Sequence, residues 1–271
     1  MSITASDIIC YGANVMAETD ATANVGGAID KTVKMVFTAL AANDTFDVVS
    51  DDADDNSQTV TITGRLADGS IDTEVFNLDG TNLQTGSTTF ERLLKAVVSA
   101  TYEGTITITE HSGGTTVATM EGSDDAPGGT AVLEVRRLFY GAVAAAEAAG
   151  AGDKLLYEKV FIANTHATLA LTTAEIELTN DGTTSNILDF DLEGSVNDTN
   201  SVADRTTEPA GADMLGAPTW DDSKKAVPGN QLGDRTTGTS DHIGVWMRLD
   251  LDDGEAAEKA TFTLTVTGNT T

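Results

Sequence analysis

The sequence predicts an all-β protein: two antiparallel β-sandwich domains behind an extended N-terminal arm. Three observations carry that prediction. Apolar and polar residues alternate with period two in many short runs, most clearly from His242 to Val266. There Val245, Met247, Leu249 and Leu251 alternate with Trp246, Arg248 and Asp250, and Phe262, Leu264 and Val266 alternate with threonines. Such a period sends one face of a strand into a core and the other toward solvent. Composition agrees, with 26 glycines, only 4 prolines and 5% aromatics. That describes short strands of Val, Ile, Leu and Ala joined by glycine turns. The length, 271 residues, suffices for two modest domains.

In chain order, residues 1–30 read as the arm, with apolar patches at Ile8-Ile9 and Val15-Met16 and a Gly26-Gly27 turn. The first sandwich spans 31–125. Its strands are Lys31 to Thr38, the run TVTITGRL around Val60 and Ile62, Ile71 to Leu78, Thr105 to Thr109 and Val117 to Met120. Asp68-Gly69 between the second and third is a hairpin signal. Phe90, Leu93, Leu94 and Val97 sit at helical spacing, so a short helix and a strand from Lys95 onward both fit this segment. The acidic stretch EGSDDAPGGT, 121–130, marks the boundary.

The second sandwich spans 131–271 and opens on the strand AVLEVRRLFY. The alanine-rich stretch 142–152 reads as a loop. Leu155 to Ile162 is a strand, Leu169 to Leu178 a hairpin, and Ile187 to Leu192 a further strand with Asp189 and Asp191 outward. A polar excursion from Glu193 to Asp241 follows, carrying Trp220 and three prolines. A loop of that length within a compact domain is usually functional. It is the best candidate for a subunit contact, and the hairpin from His242 to Val266 then closes the sheet. Ile8, Ile9, Trp220 and Trp246 are the candidate contact residues. Trp246 falls on the wet side of its strand, where it covers the sheet or meets a partner.

The net charge is −28, from 43 Asp and Glu against 15 Lys and Arg, and the acid is spread along the whole chain. It repels nucleic acid and anionic membranes, so neither is an expected partner. It suits folding in concentrated salt, where the Debye length falls to about 3 Å at 1 M and carboxylates keep their hydration. Cys10 is the single cysteine, so no intrachain disulfide is possible. No run approaches the roughly 20 apolar residues of a membrane span, and MSITASDIIC lacks the basic start and apolar core of a signal peptide. Synthesis in a cytoplasm is the expectation.

Little here points to catalysis, and the expectation is no enzyme and no cofactor. His111, His166 and His242 are more than 50 residues apart in separate turns, without metal-ligand spacing. Asp189, Asp191 and Glu193, followed by Gly194, match the opening of a calcium loop. The loop's twelfth position is Asn200 rather than a glutamate, and the wet face of a strand explains the same residues. Asp51, Asp52, Asp54 and Asp55 form a second acidic cluster, read as a solvated turn. Arg136-Arg137 is a basic pair whose members point to opposite faces of a strand and pair with carboxylates.

Several segments resemble a family of structural proteins of tailed bacterial and archaeal viruses. They are ASDIICYGANVMAE with GGAIDKTVKMVF; TFERLLK; LLYEKVFIANTHATLALTTAEIEL; SVNDTNSVADRTTEPAG; and AVPGNQLGDRTTGTSDHIGVWMRLDLDDGEAAEKATFTLTVTGNT. Together they cover well over half of the chain. The resemblance implies immunoglobulin-like β-sandwich domains, no catalytic motif, and a place in the virion. The first expectation is a capsid decoration (cement or turret) protein on the head exterior, homo-oligomeric and bound to other virion proteins, from a virus of a halophilic or marine host. A tail-tube or neck protein is the alternative, its acidic lumen letting DNA slide. A carbohydrate-binding adhesin is a further one, disfavoured by two tryptophans in all.

Overall fold

The computed structural model describes residues 2–36, 38–141, 152–180, 187–211, 216–236, 240–253 and 262–270. The predicted loop at 142–152 falls almost wholly outside them, as do residues 254–261 between the two strands read at His242 to Val266. Among the described residues the regular structure is all β, apart from two short 3-10 turns, Ala5–Asp7 and Pro228–Asn230. In chain order the strands are β1 (Ile8–Val15), β2 (Gly26–Met35), β3 (Phe46–Ser50), β4 (Thr59–Arg65), β5 (Ile71–Asn77) and β6 (Gln84–Thr85). Then come β7 (Arg92–Val98), β8 (Thr105–Glu110), β9 (Thr116–Glu121), β10 (Glu134–Arg136), β11 (Lys154–Asn164) and β12 (Leu171–Asn180). The last are β13 (Ile187–Val196), β14 (Lys225–Ala226), β15 (Gln231–Leu232), β16 (His242–Leu251) and β17 (Phe262–Thr270). No helix among the described residues is long and apolar enough to cross a membrane, which says nothing of a β-barrel.

The chain divides into two compact units, Lys31–Leu138 and a second made of Met1–Asp30 with Phe139–Thr271. Both are of the β-sandwich class. In Lys31–Leu138, one sheet runs β10-β7-β4-β5 and the other β6-β3-β8-β9. They enclose a single apolar core that includes Phe46, Val48, Val60, Ile62, Phe90, Ile106, Ile108 and Val135. Phe46 and Phe90 stack with ring centroids 5.5 Å apart, and the Tyr102 hydroxyl donates to the Val132 carbonyl at 2.7 Å. The Asp68-Gly69 turn joins β4 to β5 as expected, with Gly69 at φ 87°.

The ambiguous segment around Leu93 is strand β7, and a bulge explains its helical spacing. Thr63 pairs with Lys95 while Gly64 pairs with Leu93, leaving Leu94 extra. Leu93 and Leu94 are therefore both buried, because an extra residue resets the alternation of faces. Gly64 leaves room for the Phe90 ring, whose Cε1 would lie 2.8 Å from an added Cβ.

Two boundaries differ from the expected ones. Residues 134–136 belong to the Lys31–Leu138 unit, since β10 pairs antiparallel with β7 and parallel with β2, and Val132 and Val135 lie in its core. Residues 1–30 pack on the chain's own second unit rather than standing apart as a separate arm: β1 pairs along β11 from Ile8↔Asn164 to Gly12↔Val160, with Tyr11 and Ala13 buried. A strand needs a partner for its backbone groups, and β11, long and apolar, supplies one.

The other unit holds a sheet in the order β13-β16-β11-β1, continued by the first residues of β2, and a second sheet centred on β12. β12 pairs with β17 and with the short β14 and β15. Asp221 and Asp222 join the two sheets, their carbonyls accepting from Phe190 N (3.1 Å) on β13 and Leu178 N (3.3 Å) on β12. The predicted hairpin at Leu169 to Leu178 is one strand with an irregularity between Thr172 and Glu175. β16 and β17 likewise form no hairpin, because β16 lies between β11 and β13 while β17 pairs with β12 in the other sheet. Period two fixes which face a residue takes, and leaves open which strand lies alongside.

Candidate functional site

The predicted wet face of β16 is covered, with Trp246 buried and Arg248 and Asp250 half-buried. Trp246 is 0% exposed, so it is not an outward contact residue. The register explains what surrounds it. Tyr157, Arg248 and Asp189 lie in one row across β11, β16 and β13, and Lys159, Trp246 and Asp191 in the next. Beyond them, Leu192 pairs with Val245 and Val196 with Ile243, so Glu193 to Ser195 bulge out opposite Gly244 alone. That bulge brings Glu193 over the space that Gly244 leaves open.

Lys159 is the centre of this face. Its ammonium donates to an Asp198 carboxylate oxygen, to the Asn200 carbonyl at 3.0 Å and to the Gly27 carbonyl at 3.3 Å, and stands 3.2 Å from Glu193 Oε1. It also lies 4.9 Å from the Phe161 ring centroid and 5.5 Å from that of Trp246. Glu193 accepts from Trp246 Nε1 at 2.7 Å and Asn200 Nδ2 at 3.1 Å. Burial pushes the Glu193 carboxyl above the ordinary range by more than Lys159 pulls it down, and Asp198 adds to the push. Asp198 Oδ2 is buried with no hydrogen-bond partner. A Cβ on Gly244 would come within 2.5 Å of that atom, 2.7 Å of Lys159 Cε and 2.8 Å of Glu193 Cγ. Only glycine lets the lysine stem cross β16.

Described residues of the Glu193–Asp241 excursion pack over this face. Its Arg205 carbonyl accepts from Tyr157 N at 2.7 Å, and the Arg205 guanidinium donates to Asp20 at 2.6 Å. Trp220 is half-buried, tilted on Tyr157 with ring centroids 5.4 Å apart, with Arg248 over its ring and its Nε1 donating to Glu208. Val25, Val202, Tyr157 and Trp246 form a small apolar cluster beneath it. The candidates Ile8 and Ile9 lie half-buried in β1.

The three calcium candidates share a face of β13, yet each is engaged by a protein cation: Asp189 by Arg248, Asp191 by Lys225 at 3.4 Å and Glu193 by Lys159. No group of three or more His, Cys, Asp or Glu suited to a metal ion occurs among the described residues. The Asp51–Asp55 turn is only partly solvated. Asp55 is buried and accepts from Ser50 Oγ (2.7 Å), Glu103 N (3.0 Å) and Gly104 N (3.2 Å). Arg137 meets the carbonyls of Leu93 and Thr38 rather than carboxylates. Of the histidines, His111 meets Asp47 at 3.0 Å, His166 Nδ1 accepts backbone N–H groups, and His242, paired with Asp241, is largely buried against Phe161. Burial pushes the Cys10 thiol well above its ordinary range.

The sequence reading missed Lys159. The available signal was a Glu-Lys pair inside the apolar run LLYEKVFI, together with a glycine inside the strand HIGVW. A lysine is almost never fully buried unless paired, so such a run implies a carboxylate waiting elsewhere in the chain.

No protein-family model matches the chain, and no curated protein matches it. Among solved structures, the crystal structure of the infectious bursal disease virus VP2 subviral particle aligns with 99% of this chain and 69% of its own, at 11% identity and a TM-score of 0.16. A superposition that loose shows neither a shared fold nor a shared function.

Proposed function

We propose that this chain is a structural protein of a tailed-virus particle, serving as a capsid decoration protein on the head exterior. The observation that carries the reading is where the family-like segments fall in the fold. LLYEKVFIAN is β11, HIGVWMRLDL is β16, and SVNDTNSVADRTTEPAG is the start of the excursion over their charged face. Segments far apart in sequence thus build one buried layer, which is what a shared architecture preserves. No catalytic step belongs to this reading.

A contact face is also available. β5 ends its sheet, and Ile71 and Val75 on it are exposed. An exposed apolar edge strand invites pairing with another chain, and in a particle a neighbouring subunit covers it. Protein quantification on purified particles tests the reading. A head decoration protein is present in numbers comparable to the major capsid protein. A copy number sufficient for one ring only moves the chain to the tail tube or neck, a place its charge of −28 also suits, since an acidic lumen does not hold DNA. Particles without the chain end the proposal. The acidic surface further implies folding in concentrated salt, so melting shifts downward when salt falls from molar to millimolar.

A further inference from the structure

Three side chains that the proposed virion role does not use meet in the interior. Lys159, Glu193 and Asp198 have side-chain exposures of 0%, 0% and 2%. The lysine amine lies directly against the Asp198 carboxyl group, with Glu193 Oε1 at 3.2 Å and the rings of Phe161 and Trp246 closing the space around it. We propose that Lys159 and Asp198 are joined in the folded protein by an amide bond between Lys159 Nζ and Asp198 Cγ, with Glu193 as the catalytic proton carrier.

The chemistry balances without a further reagent. Glu193 takes one proton from the Lys159 ammonium, and the free amine attacks Asp198 Cγ. Glu193 returns that proton to one Asp198 oxygen, a second proton passes from the nitrogen through Glu193 to the same oxygen, and the Cγ–O bond breaks. One water leaves, Glu193 ends as it began, and an ammonium and a carboxylate have become a neutral amide. Holding amine and carboxyl group in contact makes the step unimolecular. General acid–base transfer through a group at hydrogen-bonding distance lowers its barrier. Burial favours the product, because two charges held out of water are replaced by none.

Two details of the site suit the product. Glu193 keeps its donors from Trp246 and Asn200, so the remaining carboxylate is not stranded. Asp198 Oδ2 has no hydrogen-bond partner, an orphan that makes little sense for a permanent carboxylate. The bond would span 39 positions of sequence and tie β11, over Gly244 of β16, to the segment that follows β13. Burial, which holds the Glu193 carboxyl above its ordinary range, suits a group that must accept a proton and return it.

Intact-mass measurement on the denatured full-length chain tests this independently of any role in a particle. The expected wild-type chain is one water lighter than its sequence, and digestion yields a branched peptide joining the Lys159 and Asp198 segments. The Lys159→Arg chain has its full sequence mass. Glu193→Gln, folded by circular dichroism, is expected to keep its full mass as well, and Asp198→Asn is expected to lose ammonia in place of water. A wild-type chain at full sequence mass, or one whose lost water maps elsewhere, overturns the bond. A Glu193→Gln chain that still condenses overturns the role given to Glu193.

Discussion

The two units bury carboxylates in opposite ways. In Lys31–Leu138, Asp55 is satisfied by neutral donors, one hydroxyl and two backbone N–H groups from the turn at Glu103-Gly104. In the other unit, Glu193 and Asp198 are gathered around the single cation Lys159. The first arrangement shapes one turn beside an apolar core that is complete without it. The second lies under a long excursion that folds back over its sheet, beside buried apolar residues of the same strands such as Val160, Val245 and Met247. Removing a backbone-bonded carboxylate disturbs its own donors, whereas removing the shared cation strands two charges at once.

The largest effect that separates the two arrangements is therefore at Lys159. Lys159→Ala should lower unfolding free energy by about 3–5 kcal/mol, as for breaking a buried ion pair from one side, and by more where the amide bond has formed. Denaturant melts of wild type and variant measure it. An unchanged midpoint would mean that Glu193 and Asp198 reach water. Next come the glycines that make room. Gly244→Ala forces a methyl into the lysine–carboxylate cluster and Gly64→Ala forces one against Phe90. Each should cost about 1–3 kcal/mol by overpacking. Only the first should alter how much of the chain runs one water light, which isolates the charged site from general loss of packing.

Asp55→Ala should cost about 1–3 kcal/mol, the penalty of leaving buried donors unpaired. Asp55→Asn, which keeps a side-chain oxygen, should recover part of it. A loss at Asp55 as large as at Lys159 would erase the distinction between the two arrangements.

How much of this was legible in the sequence follows the same division. The alternating runs at Val60-Ile62, Ile106-Ile108 and Val245-Met247 placed strands correctly, because burial on one face is a local property of the chain. Partners were not legible, since pairing is decided by residues far apart: β16 lies beside β11 and β13, and β1, read from the sequence as part of an arm, pairs with β11. The bulge at Leu94 and the one at Glu193 each break the period where the structure does something specific. At Leu94 that break imitated a helix. Asp189, Asp191 and Glu193, still in period, imitated the start of a calcium loop, because three acids at alternate positions look the same whether they face water or the cations Arg248, Lys225 and Lys159.

The smallest effect concerns a carboxylate partner at the surface, and its sign follows from geometry. His111 is half-exposed and meets Asp47 of β3 through Nδ1 at 3.0 Å. The hydrogen bond to Asp47 first, then the charges of Asp47 and Asp44, raise the His111 pKa above its ordinary 6.5. A histidine raised on folding contributes stability that is fully present below 6.5 and is lost as pH rises through the folded value. Solvent screening keeps the contribution small. Melting temperatures across that window should fall slightly more in wild type than in His111→Asn, which has no proton to lose. The contrast with Lys159 is the useful part. High salt should flatten the His111 difference, because exposed pairs are screened, and should leave the Lys159→Ala loss in place, because no ions reach a side chain at 0% exposure. A Lys159 effect that fades with salt in step with the His111 effect would place both at the surface.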